Sequence, residues 1–158
     1  MAEKVVIIIF SDDLDKACAA FNVAIGSAAS GKEVILFFTC WGVNLVKKEK
    51  GPTKGDTLVA KLLNKMMKSG PNKLSPSKFN FFGLGGWLMR REMAVKKMQS
   101  IPEKMEEAKE LGVRFMVCDQ PMTMLGLKRE DLITDVEKIV GVATYIKEVA
   151  ESQVNLVF

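Results

Sequence analysis

The sequence predicts a three-layer α/β/α fold with a parallel sheet, and three observations carry that prediction. Its strand-length apolar runs, VVIIIF, EVILFF and VRFMV, are continuous rather than alternating, as in strands buried on both faces. Stretches with helical spacing and capping residues separate these runs. Residues 4–38 also have the length of a β-α-β unit, whose crossover is right-handed.

In chain order, residues 4–10 (KVVIIIF) are predicted as a central strand. Ser11, Asp12 and Asp13 then offer N-cap chemistry and favourable charge for a helix start. An alanine-rich helix over 14–30 ends near Gly31, and Glu33–Phe38 is the second strand. Residues 39–44 leave that strand, 43–50 make one or two helical turns, and 51–56 (GPTKGD) break them. Residues 57–69 form an amphipathic helix, with Leu58, Leu62 and Met66 at helical spacing and lysines between.

The segment 70–101 is predicted as a Gly/aromatic insertion within a single domain of residues 1–158. It holds Gly70, Pro71, Pro76, Gly83, Gly85 and Gly86 beside the apolar cluster Phe79, Phe81, Phe82, Leu84, Trp87, Leu88 and Met89. A loop followed by a helix over about 86–98 fits it, and it is too long for an ordinary connection. Pro102 opens a helix over 103–111, capped by Gly112. The third strand is 113–117, a short helix 128–132, the fourth strand Val136–Val140, a helix 141–152 and a last short strand 155–158.

Composition excludes several function classes. A chain of 158 residues with 48% hydrophobic and 27% charged residues supports a packed core rather than disorder. The absence of histidine removes Ser-His-Asp and Cys-His catalysis and every His-containing metal site. Cys18, Cys40 and Cys118 form no CxxC pair, so neither a thiolate metal site nor a disulfide scaffold is expected. The chain opens into a strand without a basic region and cleavage site, which predicts no signal peptide and a cytoplasmic setting. The longest nearly apolar run, 34–46, has 13 residues, short of the roughly 18 that span a bilayer. The net charge of +4 hides an asymmetry: residues 47–104 carry 14 Lys/Arg against 4 Asp/Glu, the remainder 9 against 15.

Strand C-terminal ends of a parallel sheet share one edge, where ligand sites gather. That edge is predicted to hold Ser11 to Asp13, Thr39 to Trp41, and Cys118 with Asp119 and Gln120. Cys118 reads either as a nucleophile or persulfide carrier, or as a small core residue at a strand end. Cys40 is a candidate second thiol or a packing residue; Cys18, among alanines, reads as core. Asp12, Trp41, Met122 and Met124 are pocket candidates, the two methionines serving equally well as core filling. GLGGWL at 83–88 lacks the third glycine of a dinucleotide fingerprint and follows no strand. The basic segment suits anionic lipid, nucleic acid or a plain solvated face, but its aromatics match no nucleic-acid signature.

Three stretches also resemble a known family: SDDLDKA at 11–17, FNFFGLGGWLMRREM at 79–93, and CDQPMTMLGL at 118–127 with GVATY at 141–145. The chain resembles the DsrE/DsrF-like (DsrEFH) sulfur-relay proteins, most closely the peroxiredoxin-labelled DsrE-type branch. The resemblance implies a DsrEFH-like fold with a parallel five-stranded sheet, homo-oligomers, and sulfane sulfur carried as a persulfide on Cys118. Asp119, Gln120, Pro121 and Met122 stand where relatives have a Ser-Met pair after the cysteine, and Cys40 stands where an aromatic is common.

The expectation is a cytoplasmic sulfur carrier or sulfurtransferase that needs no cofactor and no metal. Its partners would be sulfur-donor and sulfur-acceptor proteins or small thiols. Two other classes stay open: a non-catalytic oligomeric or membrane-peripheral interaction module, and a thiol redox protein using Cys40 and Cys118.

Overall fold

Three long apolar runs make the centre of the sheet. The computed structural model describes residues 3–49, 57–66, 70–78 and 83–158. The predicted breaker at 51–56, the end of the predicted helix at 67–69, and Phe79, Phe81 and Phe82 lie outside the described residues. Strands β1 (Lys4–Ile9), β2 (Glu33–Phe38), β3 (Arg114–Cys118), β4 (Val136–Val140) and β5 (Val154–Val157) pair in parallel in the order β4-β3-β2-β1-β5. The central strands are almost wholly buried, which is why their sequences run apolar without alternation. The edge strands, VEKIV and VNLV, are more exposed and carry polar residues.

The strand order places the helices. From β1 to β4 the chain steps always in one direction, so right-handed crossovers put the connecting helices on one face. There α1 (Leu14–Ala29), α4 (Ile101–Glu110) and α5 (Asp119–Leu125) close the main core. The return from β4 to β5 reverses direction, and its helix α6 (Val142–Ala150) accordingly covers the other face. Two further helices, α2 (Leu58–Met66) and α3 (Leu84–Val95), lie between β2 and α4 and touch the main core through Leu63 and Met89.

Packing on the main face centres on three rings. Phe21 of α1 meets Phe115 at 6.1 Å and Phe38 at 6.5 Å, and Phe38 meets Phe115 edge-on at 5.5 Å. Each such ring stabilises by about 2–3 kcal/mol through burial alone. Ala17, Ala20, Phe21 and Ala24 form the helical stripe that turns α1 onto the sheet. On the opposite face Tyr145 stacks on Phe37 with centroids 4.6 Å apart, and its hydroxyl donates to Asn155 Oδ1 at 3.2 Å.

The two strand edges differ in chemistry. The amino edge is tied by ion pairs: Lys4 with Glu148 and Glu151, and Arg114 with Glu33 and Glu137. Hydrogen bonding to Glu137 holds the Arg114 guanidinium still more firmly protonated. The carboxyl edge carries Cys40 and Cys118.

Four local features depart from the sequence reading. Residues 40–46 form a 3-10 turn rather than α-helix over 43–50. The helix expected over 86–98 begins two residues early, after Gly83 at a φ of 99°, and ends before Lys97, whose φ of 56° breaks it. The fifth strand starts at Val154. Finally, the segment between the third strand and 128, for which the sequence reading names no element, is the helix α5, with Gly126 as its left-handed C-cap.

Candidate functional site

Cys118 is the last residue of β3 and the N-cap residue of α5. Strand alternation turns its side chain to the α6 face, beside Phe37, Met116 and Tyr145, where the residue is only 1% exposed. Its Sγ lies 3.9 Å from Asp119 Oδ1, with the thiol as donor. Cys118 pairs with Val140, so the junction of β4 and α6 begins beside it. There Gly141 has no side chain; a Cβ would stand 3.4 Å from Asp119 Oδ2. The carboxylate of Asp119 thus lies between the thiol and the start of α6.

Above it is an open groove of about 550 Å³ lined by Asp119, Gln120, Thr123, Met124, Gly141, Val142 and Ala143. Both walls come from the first residues after neighbouring strands, which is how a parallel sheet builds a site from residues distant in sequence. Met124 lies on the groove and is 57% exposed, whereas Met122 is buried in the main core. Two positions apart on a helix they point in nearly opposite directions.

Cys40 leaves β2 at the same edge. Phe38 pairs with Val117, so Cys118 and Cys40 stand one and two residues beyond one rung of the ladder. Cys40 is exposed, has a φ of 47°, and accepts from Thr39 Oγ1 at 3.9 Å. All three cysteines are free thiols. Trp41 is 47% exposed, with its N–H on the Phe10 carbonyl at 3.1 Å. Cys18 lies on α1, away from this edge; burial pushes its thiol pKa up, against the pull of Lys104.

Behind Trp41 is a buried polar group that the sequence reading missed. Asn44, wholly buried, donates to Asp12 Oδ2 at 2.9 Å, while its own Oδ1 has no partner. Lys47, also buried, donates to Asn64 Oδ1 at 3.1 Å. Burial holds the Lys47 pKa below the ordinary lysine range, opposed by the carboxylates of Asp131 and Asp12. A lysine and an asparagine inside an otherwise apolar stretch, VNLVK, were the available signal. The structure therefore gathers Asp12, Cys40, Trp41, Cys118 and Met124 at the carboxyl edge, leaves Met122 in the interior and keeps Cys18 half-buried on α1. Among the described residues no three His, Cys, Asp or Glu side chains are grouped to hold a metal ion, and no helix is long and apolar enough to cross a membrane.

Fold and site define a class: a five-stranded parallel α/β/α protein with a thiol at the junction of its third strand and the following helix. The chain belongs to the DsrE/DsrF/DrsH-like family, whose model matches residues 1–157. It is 36% identical over 154 residues to the uncharacterized protein YrkE of Bacillus subtilis, covering 98% of this chain and 96% of the relative. It is 29% identical over 160 residues to the sulfur carrier protein DsrE2 of Allochromatium vinosum, covering 98% and 97%. Two solved structures share the fold. MTH1491 of Methanobacterium thermoautotrophicum, a protein of unknown function, superposes with a TM-score of 0.58 at 15% identity, over 99% of both chains. The ychN protein of E. coli gives 0.60 at 13%, over the whole of both.

Proposed function

We propose that this chain carries sulfane sulfur as a persulfide on Cys118, taking it from a donor persulfide and passing it to an acceptor thiol. Family membership and the likeness to a named sulfur carrier support a sulfur-relay role in general terms. The observation that carries the finer reading is the thiol of Cys118 against the Asp119 carboxylate, at the side of a groove open to a partner. The Cys118 thiolate attacks the outer sulfur of R–S–SH. The new Cys118 S–S bond forms as the donor S–S bond breaks, and R–S⁻ leaves and takes a proton. The reverse step on a second thiol delivers the sulfur, with no net oxidation and no cofactor. Asp119 accepts the hydrogen bond of the thiol, and its exposed side chain is the part that has to swing aside to uncover the sulfur.

The test is intact-protein mass after incubation with a persulfide donor. Wild type is expected to gain one sulfur atom, reversed by a reductant. Cys40→Ser and Cys18→Ser are expected to keep the gain and Cys118→Ala to lose it. A Cys118→Ala protein that still gains sulfur excludes the proposal.

A further inference from the structure

The outer helices α2 and α3 are built the wrong way out for a free-standing domain. On α2, Ala60 and Leu63 face the protein, and the exposed arc holds Leu58, Val59, Leu62 and Met66, with Leu58 85% exposed. Helical geometry sets Lys61 and Lys65, both exposed, along one border of that arc. On α3, Gly86, Met89 and Met93 face inward, and Leu84, Trp87, Leu88 and Val95 face out. Arg91 lies among them, its guanidinium 5.3 Å from the Trp87 ring. Both helices rest on the same core cluster, through Leu63 and Met89, and so lie on one side of the sheet.

We infer that these two arcs dock the protein on an anionic lipid surface. Eight large apolar side chains bordered by Lys61, Lys65 and Arg91 have the composition of an interfacial helix pair: apolar residues enter the acyl boundary while the basic ones extend to the headgroups. Trp87 suits the interface by its amphipathic ring. Charge decides between a bilayer and a second copy meeting face to face. The surrounding segment 47–104 has ten more basic than acidic residues, and Glu92, on the flank of the α3 arc, is paired with Lys96 at 3.3 Å. Two copies joined through this face would oppose like charges, while anionic headgroups neutralise them.

The experiment uses the full chain and vesicles of equal parts phosphatidylcholine and phosphatidylglycerol. At low salt these are expected to sediment the protein, and vesicles of phosphatidylcholine alone are not. Leu62→Glu and Trp87→Glu are each expected to lower partitioning about tenfold or more. A Lys61→Gln, Lys65→Gln double variant is expected to bind more weakly at low salt and to lose less with each added salt step than wild type, because less of its binding is electrostatic. These side chains are exposed, so circular dichroism is expected to stay unchanged. Protein left in the supernatant with anionic vesicles overturns the inference, as does wild-type binding by Leu62→Glu. It is also overturned if size-exclusion shows Leu62→Glu dissolving a larger wild-type assembly, because a second copy of the chain then occupies the face.

Discussion

The carboxyl edge of the sheet and the outer helices use the same kinds of side chain to opposite ends. Around Cys118 a chemically reactive group is enclosed: the thiol is covered by apolar neighbours and a single carboxylate. On α2 and α3 leucines, a tryptophan and methionine that would fill a core are turned to solvent. The difference separates what holds the fold from what the fold presents. Packing at the edge is close enough that small changes are felt in stability, whereas the outer arcs contribute area to an external surface and little to folding.

The largest expected effect tests the closeness of the edge. Gly42 lies between Cys40 and Asn44, and a Cβ there would stand 2.0 Å from the Ile9 carbonyl oxygen and 2.8 Å from its carbon. Those are backbone atoms of β1, a strand paired on both sides, and cannot rotate away. Gly42→Ala is expected to destabilise by about 3 kcal/mol or more in urea unfolding, by forcing β1 and the 3-10 turn apart. Loss of less than about 1 kcal/mol would mean that the edge is loosely packed and the comparison fails.

A second test makes one substitution in two environments. Cys118→Ser places a hydroxyl among Phe37, Met116 and Tyr145, and is expected to cost about 1–2 kcal/mol, since its neighbours there are apolar and the Asp119 carboxylate is its acceptor among the described residues. Cys40→Ser, at an exposed thiol, is expected to stay within about 0.5 kcal/mol of wild type. Equal effects at both positions would remove the distinction between a buried and an open thiol. The pair also shows that Cys118→Ala, with no polar group to bury, is the cleaner variant for sulfur transfer.

How much of this was legible in the sequence depended on which physical signal each part used. The central strands announced themselves, because a strand covered on both faces must be apolar throughout, and KVVIII, EVILFF and RFMVC are nearly so. The shared edge for Cys40 and Cys118 then followed from parallel pairing alone. Helix α5 was hidden by Pro121, a residue that interrupts a helix anywhere beyond its first turn. It sits in the first turn of the helix, where a missing N–H breaks no helical hydrogen bond. Missing that helix also hid the divergence of Met122 from Met124. Periodicity found the helices α2 and α3 but gave no orientation: Leu58, Leu62 and Met66 mark a stripe whether it faces a core or water. Asn44 and Lys47 showed only as polar residues in an apolar stretch, because burial of a polar side chain depends on partners far along the chain, here Asp12 and Asn64.

Lys47 supplies the smallest and most specific test of the edge as an enclosed region. Its folded pKa is lowered chiefly by burial. On raising the pH the folded chain therefore releases this proton before the unfolded chain does, whose lysine titrates near ~10.4. Between the two values the unfolded state binds more protons, so the contribution of Lys47 to stability climbs with pH. Below the folded value the ammonium is charged in both states, and its desolvation weighs against folding in full. Wild type is accordingly expected to gain stability relative to Lys47→Met as the pH climbs towards the ordinary lysine value, and the two proteins to differ by a constant amount at pH below the folded value. Urea unfolding of both across that range measures the difference. A difference that does not change with pH would mean that water reaches the Lys47 ammonium, and that the polar group behind Trp41 is as open to solvent as the outer helices.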